Sequence, residues 1–123
     1  MRRPSSTLTE HELEIMKIVW QHDTSTVRDV YEALLEKRKV AYTTVMTMMK
    51  VLETKKYLKK SQAERAYVYR PAQPQRQVIG AMVRDFVNRV FNGSASPLLV
   101  HLVEEHDLSR EDLEEIARLR KKP

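Results

Sequence analysis

Apolar residues recur at helical spacing in three successive short stretches of this chain, switch once to a β-favouring pattern, and then return to helical spacing. That single change of period, over residues 57–70, constrains the fold more than any compositional figure. Thr9-Glu10-His11-Glu12 reads as a capping box ahead of the first stripe, Leu13, Met16, Val19 and Trp20. Thr24-Ser25-Thr26 starts a second helix, with Val27, Val30, Tyr31, Leu34 and Leu35 on one face. After a break at Arg38-Lys39-Val40-Ala41, the residues Tyr42-Thr43-Thr44 are expected to cap a third, whose buried stripe is Val45, Met48, Met49 and Leu52. Tyr57–Ser61 and Ala66–Arg70 are then two short strands around a polar tip, Gln62-Ala63-Glu64-Arg65, which lacks glycine.

Pro71 and Pro74 punctuate the chain and predict a boundary between a first domain, residues 1–72, and a second, residues 73–123. The second part reads as helical throughout. A long helix from Gln75 to Phe91 ends at Asn92-Gly93, where glycine suits a C-cap. Ser96-Pro97 opens a shorter helix with Pro97 at its first position, and Ser109-Arg110-Glu111-Asp112 opens the last. These helices carry Ile79, Met82, Val83, Phe86, Val87, Val90, Leu98, Leu99, Leu102, Val103, Leu113 and Ile116, more apolar surface than so small an arm can bury by itself. A dozen such side chains, at about 1.5–3 kcal/mol each on full burial, would make a substantial interface with a second copy. They are therefore the expected dimerisation residues; the competing arrangement folds the arm back onto its own head. The expected fold class is mainly α with a small β-hairpin.

The 123 residues fit one or two small domains, and no apolar run reaches the length of about 18 needed to cross a membrane. The opening Met1–Thr7 is basic without an apolar stretch behind it, unlike a secretory signal. Zero cysteines exclude disulfides and thiol chemistry, so a reducing cytoplasm is the expected location. Residues 1–72 hold 14 basic against 9 acidic side chains, whereas residues 73–123 hold 8 of each. The whole positive excess thus lies in the head, where a polyanion can use it.

Three short helices, a hairpin and a basic surface are the layout of a winged helix-turn-helix, which puts its third helix in the major groove and its hairpin on the flanking backbone. Away from its apolar stripe the third helix offers hydroxyls, a thioether and a cation. Hydroxyls bond phosphates or several base edges, and thymine methyls accept apolar contact from Thr or Met. With no Arg placed to read guanine, readout weighted toward thymine-bearing positions is expected. The candidate duplex contacts are Thr26, Arg28, Tyr42, Thr43, Thr44, Met46, Thr47, Lys50, Lys60 and Arg65. Lys55 and Lys56, at the end of the third helix, suit its negative dipole end equally well.

Four segments together resemble one known family: Leu8–Met16, Tyr42-Thr43-Thr44-Val45-Met46-Thr47, Arg65-Ala66-Tyr67-Val68-Tyr69, and Leu98-Leu99-Val100-His101-Leu102-Val103. They are similar to the penicillinase repressors, and the likeness spans nearly the whole chain. The resemblance implies a homodimeric winged-helix repressor on palindromic operators of β-lactam-response genes. It also implies contacts from Thr43, Thr44, Met46, Thr47 and Arg65, and derepression by a membrane sensor-protease that cuts the C-terminal arm. The sequence departs from the family pattern in three places. Members cut in this arm present an Asn–Phe bond, and His101-Leu102 is the matching bond here, a pair that a pocket shaped for Asn and Phe discriminates against. Lys56 stands where many members have glycine after the reading helix. The Cys-x-Cys tail of the copper-responsive branch has no counterpart.

Other functions are less well supported. His11 between Glu10 and Glu12, and His101, Glu104, Glu105 and His106, suggest a metal or acid–base site, but neighbouring residues on a helix point apart and His101 with Glu105 gives only two ligands on one face. No phosphate loop and no Ser/His/Asp context occurs, so no catalytic residue, metal or cofactor is assigned. A winged-helix module that binds protein, or a repressor with a non-proteolytic inducer, is the alternative.

Overall fold

The computed structural model describes residues 7–120. The opening segment considered above as a signal thus lies, through residue 6, outside the described residues. The order of elements is α1 (Glu10–Trp20), α2 (Val27–Leu35), α3 (Tyr42–Thr54), β1 (Leu58–Ala63), β2 (Ala66–Pro71), α4 (Gln75–Val90), α5 (Ser96–His106) and α6 (Arg110–Leu119). Two compact units divide between Ile79 and Gly80.

In the first unit, two of the three helices start on local chemistry. The Thr9 hydroxyl accepts from the Glu12 N–H at 3.2 Å while the Glu12 carboxylate accepts from the Thr9 N–H at 2.9 Å. Thr26 and Asp29 repeat the reciprocal pair at α2. The third helix differs from expectation. Its N-cap is Ala41, with no side-chain cap bond, so Tyr42, Thr43 and Thr44 form the first turn rather than the cap. Their side chains are left on the surface.

The core gathers Ile15, Met16 and Val19 from α1, Val30 and Leu34 from α2, Val45, Met49 and Leu52 from α3, Leu58 and Tyr69 from the hairpin, and Val78 from the first turns of α4. Helix α1 touches α2, α3 and β2, so its buried arc is wider than one stripe and takes in Ile15 and Ile18. Leu35, expected on the buried face of α2, is instead exposed at the end of that helix. Trp20 is half-buried, and its indole N–H donates to the Gln73 carbonyl at 3.0 Å.

The hairpin is antiparallel, with Leu58 opposite Pro71 and Ala63 opposite Ala66. Gln62 and Ala63 therefore belong to β1, and the turn is the two residues Glu64 and Arg65, with Glu64 at φ 53°. Ser25 adds a short third pairing: its N–H donates to Tyr69 O at 2.9 Å, and its carbonyl oxygen accepts from the Tyr69 N–H at 2.8 Å. After α3 the chain turns through Lys56 at φ 71°. The Lys56 N–H donates to Glu53 O and the Tyr57 N–H to Leu52 O, the paired bonds of a Schellman cap, here built on lysine instead of glycine.

In the second unit, Asn92 (φ 53°) and Gly93 (φ 86°) follow the end of α4. Ala95 is the N-cap of α5, which puts Pro97 at the second helical position rather than the first, where its missing N–H is still unneeded. Ser109 and Asp112 form the capping box of α6.

Candidate nucleic-acid interface

One face of the first unit collects most of the predicted contacts. Tyr42, Met46 and Lys50 lie at i, i+4 and i+8 along α3, while Val45, Met49 and Leu52 face the core. Alongside them run the start of α2, with Thr26, Val27 and Arg28, and the hairpin, with Lys60, Ala66, Tyr67 and Tyr69. Together these ten residues line one open recess of about 580 Å³. Six of them, Thr26, Arg28, Tyr42, Met46, Lys50 and Lys60, are sequence-predicted contacts. Thr43, Thr44 and Thr47 are exposed on the same helix outside the recess, and Arg65 sits at the exposed hairpin turn.

Several of these side chains are held in place. The Tyr42 ring meets Tyr31 edge-on at 5.3 Å, and the Arg28 guanidinium lies 5.7 Å from the same ring while pairing with Glu32 at 3.5 Å. The Lys60 ammonium sits 4.6 Å over the Tyr67 ring and 3.9 Å from Glu53. Lys50 and Arg65 make no ion pair among the described residues. Thr26 keeps its hydroxyl oxygen on the Asp29 N–H, which leaves its proton to donate outward.

Other cations of the head are committed to the fold. Lys55 donates to the Glu12 carboxylate at 2.8 Å and to Thr7 O at 3.1 Å, tying the end of α3 to the start of α1. It is an internal strut and not a solvated helix terminus. Burial works to raise the Glu12 pKa, but the Lys55 ammonium and the bonds from Thr9 outweigh it and hold that carboxyl below its ordinary value. Arg38 likewise grips Glu14 at 2.9 Å and lowers its pKa against partial burial. Burial raises the Tyr69 pKa, opposed by Lys60.

Sequence reasoning missed Val27, Ala66, Tyr67 and Tyr69 as parts of this surface. Tyr67 is 55 % exposed. Its spacing of two from Tyr69 was a usable signal, because both then lie on one side of β2, but only the register shows that Lys60 and Gln62 stand opposite them. Among the described residues, no group of three His, Cys, Asp or Glu side chains is placed to hold a metal ion. His11 belongs instead to the Glu14–Arg38 network, and the His101 ring lies 6.0 Å from Phe91.

Of the twelve expected dimerisation residues all but Ile79 belong to the second unit, and seven are exposed: Val83, Phe86, Val90, Leu99, Leu102, Leu113 and Ile116. Ile79, Met82, Val87, Leu98 and Val103 are half-buried, and Val100 and Leu119, outside the expected set, add exposed apolar surface. His101 and Leu102 are both exposed within α5. No helix among the described residues is long and apolar enough to cross a membrane.

Three packed helices, a two-stranded wing and an exposed third helix define the first unit as a winged helix-turn-helix domain. A solution structure of the DNA-binding domain of the repressor BlaI superposes on it with a TM-score of 0.53 at 26 % identity, covering 60 % of this chain and 90 % of that one. A solution structure of monomeric Bacillus licheniformis BlaI in complex with the blaP half-operator gives 0.50 at 27 % identity, covering 60 % and 88 %. The penicillinase repressor model matches residues 8–122, and the chain belongs to that family of transcriptional repressors. Relatives include the penicillinase repressor of Bacillus licheniformis, 27 % identical over 91 % of this chain and 88 % of that protein. The transcriptional regulator BlaI of Mycobacterium tuberculosis is 35 % identical over 79 % and 72 %. The methicillin resistance regulatory protein MecI of Staphylococcus aureus is 21 % identical over 91 % of each.

Proposed function

We propose that this chain is a homodimeric DNA-binding repressor of β-lactam-response genes, acting in the cytoplasm. Residues 1–72 grip the duplex and residues 73–123 join the two copies. The observation that carries the reading is that Thr26, Arg28, Tyr42, Met46, Lys50 and Lys60, from three separate elements, line one recess beside α3, in the part of the chain that holds all the excess positive charge. Helix α3 lies in the major groove with Thr43, Thr44, Thr47 and Lys50 toward the bases and phosphates, and Lys60 and Arg65 on the wing meet the flanking backbone. One head alone holds weakly. Two heads joined through the exposed apolar faces of α4, α5 and α6 bind a palindromic operator with the avidity of an intramolecular second contact.

Derepression follows loss of that junction. Proteolysis at His101-Leu102 requires α5 to open locally, since the bond lies in a formed helix and proteases take extended chain. A membrane sensor-protease is the expected partner, and a protease specific for Asn–Phe leaves this repressor bound.

The test is operator binding across salt with duplexes selected from the organism's own genome. We expect log K to fall with log salt by about 0.9 per phosphate contact, several contacts per dimer, and sedimentation to show a dimer. A flat salt response, or a chain monomeric at micromolar concentration and indifferent to every duplex, removes the proposal in favour of a protein-binding module.

A further inference from the structure

The recess beside α3 has an apolar wall that phosphate binding does not account for. Tyr42 is 37 % exposed, Met46 39 % and Tyr67 55 %, and all three border the same concavity. Val27 and Ala66 complete that wall, while Arg28, Lys50 and Lys60 stand around it. None of these apolar groups is among the buried core residues, and α3 supplies the core from the adjoining arc of the helix, through Val45, Met49 and Leu52. The wall is also ordered before any partner arrives: Tyr42 is held between Tyr31 and Arg28, and Tyr67 lies beneath Lys60. An ordered apolar wall ringed by cations fits a polyanion that carries an apolar projection. In the major groove of duplex DNA that projection is the thymine 5-methyl group.

We propose that this recess reads a thymine through its methyl group, with Met46 and Tyr42 as the specificity-determining contacts. The proposal rests on the duplex-binding reading above. In this arrangement the methyl lies against the Met46–Tyr42 wall, and Arg28, Lys50 and Lys60, which line the same recess, hold the phosphates on either side. Threonine hydroxyls on the rest of α3 bond to several base edges and discriminate weakly, whereas an apolar wall separates thymine from the other bases by what it buries. The sequence preference at this position therefore comes from apolar burial.

The experiment uses the full chain and a genome-selected operator in which each thymine in turn is replaced by uracil. Uracil keeps every hydrogen-bonding group and removes only the methyl. The expected result is a loss of affinity of about fourfold at one position in each half-site, which corresponds to about 0.8 kcal/mol at 1.4 kcal/mol per tenfold, with other positions within twofold. In Met46→Ala that penalty shrinks to within twofold while the salt slope stays at the wild-type value. Met46 is exposed, so this variant keeps the core intact. Operator binding with a normal salt slope but a flat uracil scan overturns the methyl reading and leaves the duplex reading standing. A uniform loss at every thymine, or a full penalty retained in Met46→Ala, overturns it as well. Failure to bind any duplex overturns both.

Discussion

Lys56 offers a sharp test of how this head is built. It follows the C-cap Lys55 with φ 71°, in the left-handed region, and its turn is closed by the Lys56 N–H on Glu53 O at 3.0 Å and the Tyr57 N–H on Leu52 O at 2.9 Å. An L-residue in that conformation costs about 1–2 kcal/mol that glycine does not incur. Glycine gains extra freedom in the unfolded chain, which takes back about 0.4–1 kcal/mol. Removing a cation from the helix C-terminus takes back about 0.3 kcal/mol more at an exposed site. At mid-range values the balance favours Lys56→Gly by about 0.5 kcal/mol, or a rise in melting temperature of about 2–4 °C for a unit of this size. Lys56→Asn should fall between the two, because asparagine tolerates left-handed geometry. Lys56→Ala keeps the strain, loses the cation and should be a few tenths of a kcal/mol worse than lysine by the same dipole estimate. Urea unfolding of the full chain at neutral pH, followed by far-UV circular dichroism, measures all four. A glycine variant less stable than the parent, or an alanine variant equal to glycine, refutes the reasoning, since backbone strain would then not set the order.

Further outcomes are expected. Glu12 and Glu14 have folded pKa values below the ordinary 4.5, so the stability they contribute is complete above about pH 4.5 and is lost as pH falls through the lowered values. Lys55→Met removes the main support of the Glu12 carboxylate; it should cost about 2 kcal/mol or more and move acid unfolding to higher pH, which a pH titration of urea midpoints detects. Thr47→Ala and Arg65→Ala should each weaken operator binding in fluorescence anisotropy while sedimentation still shows the dimer. Phe86→Asp and Leu99→Asp, at positions 41 % and 54 % exposed in one chain, should dissociate the dimer and thereby abolish tight binding; variants that stay dimeric would locate the interface elsewhere. The Ser25 hydroxyl is buried and has no hydrogen-bond partner among the described residues, so Ser25→Ala should be neutral or stabilising by up to about 1 kcal/mol in thermal unfolding.

Features set by residues close along the chain were legible without a structure. The capping boxes at Thr9 and Ser109 need partners only three residues away, and the helical and strand periods follow from which positions avoid water. The hairpin, the cation excess of the head and the oversized apolar surface of the arm were legible for the same reason. What required the tertiary structure was every pairing between distant residues: Lys55 with Glu12, Trp20 with Gln73, Ser25 with Tyr69, and Lys60 above Tyr67 beside α3. Those pairings are fixed by how apolar faces pack, which leaves no mark at any one place in the sequence. Packing thereby sorted the cations. It committed Lys55 and Arg38 to carboxylates, left Lys50 and Arg65 without ion pairs among the described residues, and brought Tyr67 and Tyr69 of the wing beside Tyr42 and Met46, which the sequence had already marked as contacts.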